Sequence, residues 1–145
     1  MQLYTIGFTK KNAQQFFGLL KEAGIERLVD IRLRPDSQLA GFAKRDDLRF
    51  FLERLNGCDY QYEPDLAPSD ELLKAYREDK NWNMYEVGYL RLLRERDMPQ
   101  SLDKGSFEKL KSCLLCSESE PDQCHRRLAA EEMQKYWKNM LIVHL

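Results

Sequence analysis

A run of about 18 apolar residues, the least that spans a bilayer as a helix, is missing from this chain. Met1 to Phe8 also lacks the basic region and long apolar segment of an export signal. These absences point to a cytoplasmic protein with no membrane partner. An excess of one charge is missing too: lysine plus arginine total 23 against 24 for aspartate plus glutamate, a formal net charge of -1. That balance removes any global pull toward nucleic acid or anionic membrane and confines an anion site to a local cluster. No internal repeat, low-complexity tract or Pro/Gly-rich linker divides the sequence. What is present is 145 residues of 43% hydrophobic composition, the size of one domain, 1–145, able to bury its own core. Four cysteines in a chain without an export signal read as thiols rather than as a disulfide framework.

The apolar pattern alternates between strand and helix. Leu3 to Phe8 reads as a strand, and Ala13, Phe16, Phe17 and Leu20 follow at helical spacing up to Gly24. Leu28 to Ile31 is a continuous apolar run that emerges into Asp30-Ile31-Arg32-Leu33-Arg34-Pro35, as a buried strand does at a polar edge. Leu48, Phe51, Leu52 and Leu55 predict a second helix capped by Asp46 or Asp47 and closed by Gly57. Asp59 to Glu63 alternates like an edge strand and stops at Pro64. Ser69, Asp70 and Glu71 open a helix toward Tyr76, and Trp82, Tyr85, Tyr89, Leu92, Leu93 and Arg96 continue at helical spacing, which gives a helical pair inserted in the middle third. The amphipathic piece Phe107 to Lys111 leads into a fourth strand, Cys113 to Cys116. Asp122 is the candidate cap of a last helix with Ala129, Met133, Tyr136, Trp137 and Met140 on its apolar face, and Leu141 to His144 is the last strand. Strands separated by helices require right-handed crossovers. The expected fold is therefore α/β: a three-layer domain with a mostly parallel sheet of about five strands and helices on both faces. In such sheets ligands sit beyond the carboxyl ends of the strands.

Two segments at those ends carry chemistry. In Asp30 to Ser37, continued extension would place Asp30, Arg32 and Arg34 on one side. Arginine's planar fork suits phosphate or carboxylate, with Asp30 orienting one fork or acting as a base; the plainer alternative is an ordinary ion pair at a strand end. In Cys116-Ser117-Glu118 and Cys124-His125-Arg126, a cap at Asp122 would put Cys124 and His125 in a helix's first turn, where the dipole lowers a thiol's pKa and favours anions. Against this stands the reading of both cysteines as buried small hydrophobes, with His125 bonded to a carbonyl. Cys113, Cys116, Cys124 and His125 have the composition of a zinc set, but Cys113 and Cys116, three apart on one strand, face opposite ways. Only Cys116, Cys124 and His125, with Glu118, remain for an ion, and no metal or cofactor is expected. Gly7 allows close backbone approach to a ligand and Thr9 is a candidate cap, yet a lone glycine matches neither a dinucleotide fingerprint nor a P-loop. Trp82, Tyr85 and Tyr89 read as core more readily than as a base-stacking platform.

Together, Thr5-Ile6-Gly7, Leu28-Val29-Asp30-Ile31-Arg32 with Pro35 and Ser37, Phe42, Tyr62 with Pro64 and Leu66, and above all Leu114-Leu115-Cys116-Ser117-Glu118 with Cys124-His125-Arg126 resemble the bacterial and archaeal family called domain of unknown function 488. The resemblance implies an α/β fold and a shared polar cleft, and no activity. Many members resemble Gly-His-Ser where this chain has Gly7-Phe8-Thr9, and Leu-Gly where it has Leu66-Ala67.

Two functions follow from the residues. One is an enzyme acting on a phosphorylated or nucleotide-like substrate. In it Arg32, Arg34, Ser37 and Arg126 hold the anion, Cys116 or Cys124 is the nucleophile, His125 the acid or base, and Asp30 or Glu118 its orienting partner. The other is a non-catalytic module for a nucleotide or nucleic-acid end, in which the arginines contact phosphate and the cysteines only pack.

Overall fold

The computed structural model describes residues 1–36 and 41–145. Five strands, β1 (Gln2–Gly7), β2 (Arg27–Asp30), β3 (Asp59–Tyr62), β4 (Ser112–Cys116) and β5 (Leu141–His144), form one sheet in the order β3-β2-β4-β1-β5. Every pairing is parallel, with Tyr4 opposite Cys113 and Asp30 opposite Leu115 setting the register around β4. The α/β expectation holds, and β3 lies at an edge as its alternation predicted.

Alternation along the strands sorts side chains into two layers. Tyr4, Ile6, Leu28, Cys113 and Leu115 pack with Phe16, Phe17 and Leu20 of α1 (Ala13–Glu22) and Leu48 of α2 (Arg45–Phe51), which continues as a π-helical turn, Leu52–Asn56. Leu3, Val29, Ile31 and Leu114 face the opposite layer. There they meet Tyr85, Tyr89 and Leu93 of α4 (Trp82–Glu95), Phe107 of α5 (Lys104–Lys109) and Leu128, Ala129 and Met133 of α6 (His125–Tyr136), with Leu72, Leu73 and Tyr76 of α3 (Asp70–Asp79) packed alongside. The chain runs from β1 through α1 and α2 to β3 on one face and returns through α3 to α6 on the other. Strand β4, whose exit leads to α6, therefore lies between β1 and β2, whose exits lead to the other layer, and a crevice opens at its carboxyl end.

The helix starts differ from the sequence reading in three places. Asn12, not Thr9, caps α1, in a capping box with Gln15. Lys44 is the N-cap of α2, which leaves Asp46 and Asp47 in the first turn, where they favour the helix dipole without capping it. Cys124 is the N-cap of α6, so Asp122 lies outside the helix and its side chain does not cap it. Ser69 caps α3 as expected, accepting from the Leu72 N–H at 3.2 Å.

One buried ion pair closes the end of β2. Asp30, 0% exposed, accepts from Arg32 Nε at 2.8 Å and Nη2 at 2.7 Å, and from Tyr60 Oη at 2.6 Å. Burial, and then the Asp30 carboxylate, push the Tyr60 phenol well above its usual range. Removing one member of such a pair leaves a buried charge uncompensated, which costs about 3–5 kcal/mol, whereas apolar replacement of both is far milder. Asp30→Asn is expected to lower stability by about that amount in urea melts, and Asp30→Leu combined with Arg32→Met to recover most of the loss.

Candidate functional site

Three donor atoms converge at the carboxyl end of β4. Cys116 is its last residue, Cys124 caps α6 and His125 opens it; Cys116 Sγ, Cys124 Sγ and a His125 ring nitrogen all lie within 4.8 Å of one another. His125 is fixed at both ends. Its Nε2 lies 2.8 Å from the Ile31 carbonyl oxygen, which can only accept, so Nε2 carries the proton. Nδ1 then turns its lone pair to Cys116 Sγ at 3.4 Å, and the Tyr89 ring packs against the imidazole edge-on at 5.6 Å.

Beneath the thiols lies Arg126, 0% exposed. Its guanidinium donates to the carbonyls of Glu118 and Ser119, to Thr5 Oγ1 at 3.3 Å and, weakly, to Cys124 Sγ at 3.8 Å. All are neutral acceptors, and among the described residues no carboxylate pairs with it. A buried cation without a counter-ion is costly, and the sulfur pair is the group able to balance it. Burial alone would raise the Cys116 thiol. The hydrogen bond from Cys124, the backbone N–H groups of Glu118 and Ser117, and Arg126 outweigh burial and hold its pKa below the usual thiol value. Cys124 moves the other way, well above that value, because it is the hydrogen-bond donor to Cys116 and is itself buried. The thiol whose pKa is lowered is therefore not Cys124 at the helix start, as its position in the sequence suggested, but its neighbour on the strand.

The donor set also has the composition of a zinc site, and these three are the described residues able to offer one. Arg126 already supplies the positive charge that the sulfurs balance, which weighs against a divalent cation in the same place. Cys113 faces the α1 layer, away from the site, as strand alternation required.

The thiols and His125 form the inner end of a cavity of about 460 Å³ roofed by α3 and the start of α4. Its walls include Arg34, Tyr76, Arg77, Lys80, Trp82 and Tyr85, and Glu118 is the acidic side chain at its edge. Arg77 and Lys80 are exposed. They were not singled out in the sequence, although their three-residue spacing places both on one helical face. Arg34 reaches the cavity and pairs with Asp70 at 2.5 Å. Trp82 and Tyr85 stack on each other with centroids 5.2 Å apart, and Tyr85 and Tyr89 are core as expected while the first two also line the cavity.

Other candidate residues have different places. Asp30 faces the α1 layer, its carboxylate occupied by Arg32 and Tyr60, so the orienting partner of His125 is the Ile31 carbonyl rather than Asp30 or Glu118. Arg32 borders the cavity, but its fork is committed to Asp30 and the Ala43 carbonyl. Arg126 is under the thiols and does not line the cavity. Ser37 lies outside the described residues. Gly7 does serve a close approach, to the chain itself: a Cβ there would overlap the Glu118 carbonyl and crowd Arg126.

Gly7→Ala must displace the 117–119 loop, and about 1–3 kcal/mol of lost stability is expected in thermal melts. The thiol pair sets a pH dependence. A lowered folded pKa at Cys116 contributes stability that is complete above the unfolded thiol value of about 8.5 and is lost as the pH falls through the folded one. The raised pKa at Cys124 contributes stability that is complete below that unfolded value and is lost as the pH rises through the folded one. The melting-temperature difference between the native chain and a Cys116→Ser, Cys124→Ser variant should therefore peak near pH ~8.5 and shrink on both sides; a flat difference would refute the split.

No curated protein and no solved structure matches the chain. The family described as domain of unknown function DUF488 matches over residues 12–133, a span that holds the whole wall of the cavity, Cys116, Cys124, His125 and Arg126. On that match, this chain belongs to the DUF488 family.

Proposed function

We propose that this chain is an enzyme acting on a phosphorylated or nucleotide-like substrate in the cavity at the carboxyl ends of the strands, with Cys116 as nucleophile and His125 as proton carrier. The observation that carries this reading is Arg126, fully buried among neutral acceptors and 3.8 Å from Cys124 Sγ, the neighbour of Cys116. Such an arrangement favours a sulfur anion at Cys116, and the thiolate, not the thiol, is the nucleophile. His125 Nδ1, held by the Ile31 carbonyl on its far side, is placed to receive the thiol proton. In the reaction Cys116 Sγ bonds to the substrate's electrophilic centre as the bond to the leaving group breaks, and His125 returns the proton to that group.

The substrate class follows from the cavity wall. Arg77 and Lys80 offer cationic donors to an anionic group, beside Arg34 with its Asp70 partner, while Trp82 and Tyr85 present ring surface to a base or other flat moiety. Glu118 at the edge repels an anion, which directs the phosphate toward α3. A nucleic-acid end offers the same chemistry and is a second class of ligand for the wall.

Alkylation of the reduced chain, followed by peptide mass spectrometry across pH, tests the nucleophile. Cys116 is expected to label fastest and to keep reacting below the ordinary thiol range, with added nucleoside monophosphate slowing it. Cys116→Ser should abolish turnover in a screen of phosphorylated compounds while retaining binding. Uniformly slow labelling of all four cysteines, with ligand affinity that falls steeply with salt, would instead leave a non-catalytic binding module.

A further inference from the structure

The nucleophilic role uses one sulfur, yet the site holds two. Cys124 is as deeply buried as a core cysteine, but its sulfur lies within 4.8 Å of Cys116 Sγ and it lines the cavity. We propose that Cys116 and Cys124 form a peroxide-reactive dithiol, in which Cys116 is oxidised by a hydroperoxide and Cys124 resolves the product to a disulfide.

The arrangement meets what this chemistry requires. A buried guanidinium lies against Cys124 Sγ at 3.8 Å, and its charge also favours an anion at Cys116. The resolving sulfur keeps its proton and lies close by, with the two Sγ atoms within 4.8 Å. The disulfide requires the sulfurs, one at the end of β4 and one at the start of α6, to close to the bond length of about 2.05 Å. A hydroperoxide is small enough to reach the inner end of a cavity of about 460 Å³.

The step balances with the hydroperoxide as sole oxidant. Cys116 thiolate attacks the outer peroxide oxygen, the O–O bond breaks, and the alkoxide or hydroxide leaves with a proton from His125 or solvent, which gives Cys116 sulfenic acid. The Cys124 thiol then attacks that sulfur, the S–O bond breaks, and water departs with the thiol's proton. Two thiols and one hydroperoxide become one disulfide, one alcohol or water, and one further water. An external dithiol restores the pair by exchange.

Cys58 and Cys113 are the internal controls. Both face the α1 layer. Burial raises the Cys58 thiol to about 11 and pushes Cys113 well above its ordinary value, so neither supplies a thiolate. If the catalytic reading also holds, the disulfide removes its nucleophile, and hydroperoxide reversibly silences the enzyme.

The test treats the reduced full-length chain with hydrogen peroxide and maps the cysteines by mass spectrometry under denaturing, non-reducing conditions. The expected product is a Cys116–Cys124 disulfide, with loss of two hydrogens, reversed by dithiothreitol. In Cys124→Ser the disulfide is lost and a dimedone adduct accumulates on Cys116, whereas Cys116→Ser reacts at least tenfold more slowly. Over-oxidation of Cys116 with Cys124 still free, a disulfide involving Cys58 or Cys113, or no reaction on the hour scale would each overturn the proposal. The native chain alone decides this even where a variant does not fold. Rapid alkylation of Cys116 without disulfide formation would sink the dithiol and spare the nucleophile, and slow alkylation of Cys116 would sink the nucleophile itself.

Discussion

A guanidinium at 0% exposure with no carboxylate partner among the described residues is the constraint around which the rest of this site is arranged. Arg126 is held by carbonyls of the 117–119 segment, and that segment comes close enough to accept from it only because residue 7 has no Cβ. Thr5 Oγ1 accepts from Arg126 and lies 2.6 Å from His144 Nδ1, to which its hydroxyl is free to donate. Burial and Arg126 both depress the His144 pKa, which suits an imidazole that only accepts there. One charge thereby ties β1, the loop after β4, α6 and β5 together.

The two buried arginines solve the same problem differently. Arg32 has its own carboxylate in Asp30, so it forms a closed, neutral unit at the end of β2, reinforced by Tyr60 and the Ala43 carbonyl. Arg126 has only neutral acceptors, and its charge is left to act on the sulfur pair. A complete ion pair makes a structural element, and an incomplete one polarises its surroundings. That difference separates the two Arg-containing motifs, which look alike in the sequence.

The four cysteines make the same point. Cys58 and Cys113 are packing residues on the α1 side of the sheet. Cys116 and Cys124, of equal burial, meet a guanidinium, an imidazole and each other. Burial alone therefore does not set a thiol's pKa; the charges and hydrogen bonds around it set it as well.

Strand and helix periods, turn residues and the spacing of Cys116, Cys124, His125 and Arg126 are local properties. From them the sequence by itself determined the five strands, the three layers, the helical insertion and the segment that holds the Cys116–Cys124–His125 cluster. The capping residues at Asn12, Lys44 and Cys124 were misplaced because several polar residues in each turn can cap, and packing of the following helix decides between them. Only the tertiary structure decided which cysteine's pKa is lowered, that the Ile31 carbonyl rather than a carboxylate orients His125, that Asp30 belongs to the other layer, and that Arg77 and Lys80 face the cavity. Each depends on residues far apart in the chain meeting across the sheet, and a charge's effect is set by its distance and burial, neither of which is written in the local pattern.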